Sequence, residues 1–265
     1  MIAMSVFMCF LLTRNLTNSP ASWKAACENG AVLKRLLREV WPAAAAEPQA
    51  GKKAATYRAS YFDAADMEAA KRIILTPDSA ATTEERWARE TPYVVAEIER
   101  ALALDENAVV IDYGCGIGRV AKGLIEQTGC SVIGVDISSN MRELAVGYVD
   151  SERFTTASPE ALDARVAAGF RATHAYSCWV LQHCAQPQSD IERIYAALAS
   201  GGMLFVLNSR YRCVPTDRGW VDDGISIEDL LAARFEPLTR AEMAEEYTTP
   251  AIAACAYLAT FRKRG

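Results

Sequence analysis

The fold is decided by one stretch of the chain, Val109-Val110-Ile111-Asp112-Tyr113-Gly114-Cys115-Gly116-Ile117-Gly118-Arg119-Val120-Ala121, in which an apolar run is followed by an acid and three alternating glycines. This order predicts a buried strand, a tight turn and then a helix. Glycines in the turn let a ligand approach the main chain where a Cβ would collide, and the helix start presents free N–H groups. The stretch therefore predicts a nucleotide-like ligand.

A second acid narrows the chemistry of that ligand. A dinucleotide-binding fingerprint needs its third glycine at position 119, which is Arg119, so a nicotinamide or flavin ligand is disfavoured. The next apolar run, 130–136, ends in Asp136, which lies 22 positions after Gly114. A carboxylate there can accept two hydrogen bonds from a ribose diol. We expect an adenosine ligand without a required pyrophosphate.

Three further stretches follow the glycine loop in a characteristic order: residues 135–141, 177–183 and 198–206. With Asp112 to Gly118, they make the chain resemble the class I S-adenosylmethionine-dependent methyltransferases over roughly residues 95–263. The resemblance implies S-adenosyl-L-methionine as cofactor. It also implies an α/β, Rossmann-like three-layer sandwich, with a seven-stranded, mostly parallel sheet, an antiparallel last strand and an N-terminal helical cap.

The resemblance also assigns roles to residues at the cofactor site. The glycine loop passes under the methionine part, and Asp136 binds the ribose. Ser158 stands where many members carry an acid that binds the adenine amino group, so that contact departs from the family pattern. The expected cofactor-binding residues are Asp112, Gly114, Cys115, Gly116, Gly118, Asp136, Ile137, Met141, Ser158 and Trp179. Two of these assignments have alternatives: Asp112 orients the loop or contacts the cofactor through water, and Ile137 packs on adenine or in the core.

The sequence identifies the catalytic and acceptor-binding residues less clearly than the cofactor-binding residues. Methyl transfer is an in-line displacement that alignment alone accelerates, so a base is optional. His183 follows the fourth predicted strand and is the candidate general base, with structural hydrogen bonding as the favoured alternative. The candidate acceptor residues are Tyr61, Trp87, Asn208, Arg210 and Tyr211, against the alternatives of core aromatics and a solvated loop. We expect His174 to be structural.

Composition excludes several function classes. The chain has 265 residues, 51% of them hydrophobic, and a net charge of −5, which disfavours a general nucleic-acid binder. Its eight cysteines contain no C-x-x-C pair, which suits a reducing, cytoplasmic compartment. With two histidines, a zinc site is not expected. The apolar residues 1–12 have no preceding basic residue and are too short for a membrane span, so we favour neither a signal peptide nor a membrane partner.

We expect the chain to divide into an N-terminal tail and helical cap, residues 1–94, and a methyltransferase domain, residues 95–265. In the cap, helical spacing predicts an amphipathic helix over 21–40, whose role as a lid or a homodimer contact the sequence leaves open. Residues 42–53 read as a linker, and 57–75 as a helix. Thr82 and Glu85 form a capping box that opens a short helix, and Thr91-Pro92 is expected to start the next.

Strands and helices are expected to alternate through the second part. The expected strands are 108–113, 131–136, 153–157, 173–178, 202–208, 234–241 and 254–262, the last two forming an antiparallel hairpin. The expected helices are 118–128, 139–148, 160–168, 188–199 and 226–233.

The favoured function is in-line methyl transfer to an unidentified small molecule. The alternatives are a protein methyltransferase, a cofactor-binding regulatory protein without transfer activity, an aminopropyl transferase and an NAD-dependent oxidoreductase. An aminopropyl transferase should show an acid-rich segment after the fourth strand, whereas residues 179–183 contain no acid.

Overall fold

The computed structural model describes residues 55–265. The predicted helix 21–40, the linker 42–53 and the apolar residues 1–12 lie outside the described residues. The strands are β1 Val109–Tyr113, β2 Ser131–Val135, β3 Phe154–Ala157, β4 Ala172–Cys178, β5 Leu198–Ser209, β6 Val214–Thr216, β7 Gly219–Val221, β8 Glu236–Glu242 and β9 Ala256–Arg262. The helices are α1 Met67–Ile74, α2 Thr83–Leu102, α3 Arg119–Thr128, α4 Ser139–Val149, α5 Pro159–Ala167, α6 Pro187–Ala197, α7 Ile227–Arg234 and α8 Pro250–Ala253.

Seven strands form one sheet in the order β3-β2-β1-β4-β5-β9-β8. The first five strands in this order, β3-β2-β1-β4-β5, pair in parallel with one another. Strand β9 runs antiparallel to both β5 and β8. This arrangement confirms the predicted α/β fold with its antiparallel last strand. The order changes direction beside β1, and ligands of such sheets bind outside the carboxyl ends of the strands at this point.

The core lies on both faces of the sheet. On one face, Val94 and Ile98 of α2 pack with Leu124 of α3. On the other face, Leu162 of α5 packs with Ile191 of α6. Because both faces are covered, β1 is buried along most of its length and begins with the apolar run 109–111 before Asp112.

Helix α2 corrects the prediction of two helices separated at Thr91-Pro92. The capping box of Thr82 and Glu85 is present, but the helix it opens continues through Pro92 to Leu102. Its buried stripe, which includes Glu90 before the proline and Val94 after it, packs along its length. This packing offsets the one backbone hydrogen bond that proline removes. The predicted boundary between cap and domain, after residue 94, falls inside this helix, and the division itself stays a prediction.

The prediction of one helix over 57–75 is also wrong. Tyr57 forms an isolated antiparallel bridge with Thr216, residues Ala59–Phe62 form a 3-10 turn, and α1 begins only at Met67. Asp66 starts α1 by accepting a hydrogen bond from the N–H of Ala69 at 2.8 Å.

A short hairpin of β6 and β7 lies between β5 and α7 and was not predicted. The segment before α1 pairs with it: the N–H of Arg58 donates to the carbonyl of Pro215 at 2.9 Å, and the N–H of Thr56 donates to Asp217 Oδ1 at 2.9 Å. These two hydrogen bonds hold residues 56–58 against the hairpin that follows the carboxyl end of β5. Among residues 55–265, no helix has the length and apolarity needed to cross a membrane.

Candidate active site

A cavity of about 550 Å³ opens at the carboxyl ends of β1, β2 and β4. The glycine loop, the turn after β4 and the segment after β5 line it, and residues 57–76 and α8 contribute further walls. It brings together ten of the residues singled out from the sequence: Asp112, Gly114, Cys115, Gly116, Asp136, Ile137, Met141, Trp179, His183 and Tyr211.

The glycine loop is fixed by main-chain contacts. The N–H groups of Gly114 and Cys115 both donate to the carbonyl of Val135, at 2.7 and 3.0 Å, which closes the loop against β2. Gly114 has φ of +82°, and a Cβ there would lie 2.2 Å from Val180 Cγ2. Only glycine fits this position, because the conformation is left-handed and the space is already filled.

Asp136 lies at the end of β2 and is held by the loop. Its carboxylate accepts hydrogen bonds from the N–H of Gly116 and from the N–H of Ser138, both at 2.9 Å. Burial raises its pKa, while the backbone hydrogen bonds oppose that shift. Beside it, Ile137 is 51% exposed, which places an uncovered apolar side chain next to a preset carboxylate.

Asp112, at the end of β1, is buried as well. Burial raises its pKa to about 7. The carboxyl therefore titrates near neutral pH and responds to a charge placed in the cavity.

His183 ends the 3-10 turn Leu181–His183 after β4. Its Nδ1 lies 2.6 Å from the carbonyl oxygen of Cys213, so Nδ1 carries the proton and Nε2 is an acceptor. Burial lowers its pKa to about 4. The ring packs against Phe62 and Trp220, with ring centroids 5.3 and 5.5 Å away. His183 is therefore a neutral imidazole that packs against two aromatic rings, and its Nε2 lies 3.2 Å from the amide nitrogen of Gln182.

Six of the residues singled out from the sequence lie outside the cavity wall: Gly118, Ser158, Tyr61, Trp87, Asn208 and Arg210. Gly118 and Ser158 are the N-caps of α3 and α5. Asn208 is fully buried and accepts a hydrogen bond from the N–H of Gln182 at 3.2 Å, so it supports the turn that carries His183. Arg210 forms an ion pair with Glu242 of β8.

The two aromatic residues in that set pack beside the cavity. Tyr61 contacts Trp220, with ring centroids 5.3 Å apart. Trp87 contacts Tyr148 edge-on at 6.1 Å and lies 5.5 Å from the guanidinium carbon of Arg119.

Sequence reasoning missed several residues of the site. Phe62 and Trp220 carried no signal, because they meet only through the pairing of residues 56–58 with the β6–β7 hairpin. Arg119 carries a signal, since it directly follows the glycine loop, but in the sequence that signal argues only against a dinucleotide. Trp179, which was expected here, has φ of +63°, and its Nε1 has no hydrogen-bond partner among residues 55–265. Such strain in a non-glycine residue is typical of functional sites.

The described part of the chain contains no group of three or more His, Cys, Asp or Glu side chains that could hold a metal ion.

Comparison with known proteins gives one family match. Residues 82–251 match the family model of a methyltransferase domain. A relative from Streptomyces griseus, N-demethylindolmycin N-methyltransferase, is 34% identical over 122 residues, which cover 44% of this chain. The match spans about half of that relative, 52% of its length.

Two solved structures share the fold. Geranyl diphosphate C-methyltransferase from Streptomyces coelicolor A3(2), in complex with Mg²⁺, geranyl diphosphate and S-adenosyl-L-homocysteine, has a TM-score of 0.54 at 12% identity, and the match covers 77% of this chain and 96% of that one. The [4+2]-cyclase SpnF has a TM-score of 0.53 at 17% identity, and the match covers 71% and 86%. Because a cyclase appears beside a methyltransferase, the fold alone does not fix the reaction.

Proposed function

The chain belongs to the methyltransferase domain family, and we propose that it transfers the methyl group of S-adenosyl-L-methionine to a small, largely apolar acceptor. The observation that carries the proposal is the cavity of about 550 Å³ that joins the glycine loop and Asp136 to the enclosed His183. Its volume lies within the roughly 300–1,000 Å³ that is usual for small-molecule sites.

The residues of the cavity fit the cofactor part by part. The Asp136 carboxylate, already oriented by two backbone N–H groups, has lone pairs left for a ribose diol. The exposed side chain of Ile137 offers an apolar surface for adenine. The unpartnered Nε1 of Trp179 and Nε of Arg119 supply donors where the amino-acid part would lie. We assign cofactor binding to the ten residues expected from the sequence, with Gly118 and Ser158 acting through the helices that they cap.

S-adenosyl-L-methionine supplies an electrophilic methyl group on a sulfonium, which is a good leaving group. The cavity's task is then to align the acceptor and exclude water. His183 is the candidate catalytic residue: its neutral Nε2 lies 3.2 Å from the amide nitrogen of Gln182, and exchange of that partner for the acceptor would let Nε2 accept a hydrogen bond and orient the acceptor. Since its pKa is lowered to about 4, His183 is a weak base, and we expect its contribution to come from positioning.

Three cysteine side chains in the cavity wall are kept in the thiol form. Cys115, Cys178 and Cys184 line the wall, and burial raises the pKa of all three thiols. They remain protonated at neutral pH, and a thiol is a much weaker nucleophile than a thiolate. These three side chains therefore present no thiolate to an electrophilic methyl group held in this cavity.

The acceptor class follows from the wall opposite the glycine loop. Phe62 and Ile252 are apolar, and Tyr211 adds a ring after β5. A flat, apolar small molecule matches this wall better than a nucleic acid or a protein side chain with its backbone. The relative that methylates N-demethylindolmycin supports a small-molecule acceptor. We further propose a cytoplasmic setting, because all six cysteines of the described residues are free.

The test is an assay of S-adenosylhomocysteine release from S-adenosyl-L-methionine across a panel of aromatic and aliphatic small molecules, with Asp136→Asn as the control with weakened cofactor binding. We expect release with a subset of flat, apolar acceptors and none with histone-type peptides. Release with peptides only would contradict the acceptor class. Cofactor binding without turnover on any acceptor would favour the regulatory alternative.

A further inference from the structure

Gln182 lies inside the 3-10 turn Leu181–His183, and it is 3% exposed although it lines the cavity. Its backbone and its side chain are both bound to β5 and to the segment that follows β5. Its Oε1 accepts a hydrogen bond from the N–H of Ser209 at 3.1 Å, and its N–H donates to Asn208 Oδ1 at 3.2 Å. Its carbonyl accepts from the N–H of Cys213 at 2.9 Å. These contacts fix the position of Gln182 relative to the end of β5.

The contact with Ser209 decides which way the side-chain amide of Gln182 faces. A backbone N–H can only donate, so the atom that meets it is the amide oxygen, and the amide nitrogen lies on the other side. That nitrogen lies 3.2 Å from His183 Nε2. Because Nδ1 of the same ring donates to the carbonyl of Cys213, Nε2 has no proton and accepts a hydrogen bond from the amide.

Arg212 holds the turn on both sides of this pair. Its Nη1 donates to the carbonyl of Leu181 at 2.7 Å, and its Nη2 donates to the carbonyl of Cys184 at 2.5 Å. Its guanidinium is paired with Asp223, whose Oδ1 lies 3.0 Å from Nε. Burial lowers the pKa of His183 to about 4, and the charge of Arg212 adds to that shift. The imidazole therefore stays neutral at neutral pH, and its Nε2 remains a hydrogen-bond acceptor.

We propose that Gln182 is a positioning residue for the methyl acceptor: its amide keeps the His183 ring oriented with Nε2 as a hydrogen-bond acceptor, and an O–H or N–H group of the methyl acceptor takes the place of the amide at Nε2. This inference rests on the proposed function. The exchange replaces one hydrogen bond to Nε2 by another, and Ser209 still holds the amide oxygen at the cavity wall. The displaced amide N–H then donates to the same group of the methyl acceptor.

The inference names a chemical class of methyl acceptor. A hydroxyl or amine can both donate to His183 Nε2 and accept from the displaced amide of Gln182, so no hydrogen bond is lost. A hydrocarbon, ether or thioether has no donor, so it either leaves the amide in place or leaves a buried nitrogen unsatisfied, which is unfavourable. We therefore expect methyl acceptors that carry an O–H or N–H group.

The first test uses the protein alone, by nitrogen NMR of the imidazole rings in a pH titration. The chain has two histidines, and His174→Gln assigns their signals. Gln182→Glu keeps an oxygen for the N–H of Ser209 and places a carboxylate oxygen at Nε2, so the titration midpoint of His183 should rise by about 1–3 pH units. Gln186→Glu is the matched control. Gln186 also lines the cavity, and in the described chain no hydrogen bond joins it to the ring, so the midpoint should stay near that of the wild type.

Activity gives a second readout, with a compound of the acceptor panel that turns over. Gln182→Glu should add an acid limb to the pH profile of kcat/KM between about pH 5 and 7, because a protonated Nε2 no longer accepts a hydrogen bond from the methyl acceptor. Gln186→Glu should keep the profile of the wild type. Gln182→Met removes the donor without adding a charge, so the Nε2 signal should move to that of a nitrogen without a hydrogen bond, even where the glutamate variant unfolds.

An unchanged midpoint in Gln182→Glu, or an unchanged Nε2 signal in Gln182→Met, would overturn the inference and leave the proposed function intact. Turnover of ethers or thioethers, and of no compound with an O–H or N–H group, would overturn it equally. Failure of the wild type to bind S-adenosylhomocysteine would instead overturn the proposed function itself.

Discussion

The two sides of the cavity are built in different ways. The glycine-loop side consists of residues 112–118 and 136–141, and its main-chain N–H groups donate hydrogen bonds to the Val135 carbonyl of β2 and to the Asp136 carboxylate. The opposite side places Phe62, His183 and Trp220 together from three distant parts of the chain. The first side is encoded locally and suits a part of the ligand that does not vary. The second depends on tertiary contacts and suits a part that differs between family members.

The largest expected effect is on the locally encoded side. Gly114→Ala places a Cβ 2.2 Å from Val180 Cγ2 at a φ of +82°. We expect the free energy of unfolding to fall by about 2–6 kcal/mol, the sum of overpacking and left-handed strain. Urea denaturation measures this loss. Gly147→Ala in α4 is the control, because nothing lies within 4 Å of its Cβ, and it should not destabilise the protein. Equal effects of the two substitutions would contradict the tight packing of the loop.

The next effect should fall on cofactor affinity. Asp136→Asn removes the charge that the N–H groups of Gly116 and Ser138 orient. We expect S-adenosylhomocysteine to bind about 10- to 100-fold more weakly by calorimetry, because hydrogen bonds to a charged group are lost. Asp229→Asn, at an exposed position on α7, should leave the affinity unchanged. An unchanged affinity in Asp136→Asn would remove the ribose contact from the account.

Trp220→Ala tests the side of the cavity that lies opposite the glycine loop. It removes ring contacts to His183, Phe62 and Tyr61 but no residue of the glycine loop. We expect S-adenosylhomocysteine affinity to stay within about 2-fold, while kcat/KM for an acceptor falls about 10-fold or more through lost packing and alignment. A loss of cofactor affinity as large as that of Asp136→Asn would show that the two sides are not separable.

The smallest expected effect is that of His183 on pH dependence. Its pKa of about 4 keeps the ring neutral at every pH above about 6. His183→Gln should therefore lower kcat without changing the shape of the pH profile between about pH 6 and 8. Loss of an acid limb near pH 6.5 in the variant would instead identify His183 as an ordinary base. As the pH falls from about 6.5 to about 4, His183 takes up a proton in the unfolded chain but stays neutral in the folded one. The free energy of unfolding should therefore fall over this pH range.

The same contrast explains how much the sequence could predict. The seven-stranded sheet and the glycine loop were predictable, because apolar runs and the conformational needs of Gly114 and Gly116 are local signals. Asp136 was predictable from its distance to that loop.

Three features had no local signal that decided them. The continuity of α2 through Pro92 depends on packing against the core, and the bridge of Tyr57 to Thr216 joins segments far apart in sequence. Arg210 illustrates the same limit, because its residue type and place suggested the acceptor pocket, whereas the fold turns it toward Glu242.

Calorimetric titration of the wild-type chain with S-adenosylhomocysteine, with NAD as the comparison ligand, tests directly whether this cavity holds a methyl-donor cofactor. We expect one binding site for S-adenosylhomocysteine in the micromolar range or tighter, and no binding of NAD. Absence of binding by S-adenosylhomocysteine, or binding of NAD in its place, would contradict the assignment of this cavity to a methyl-donor cofactor.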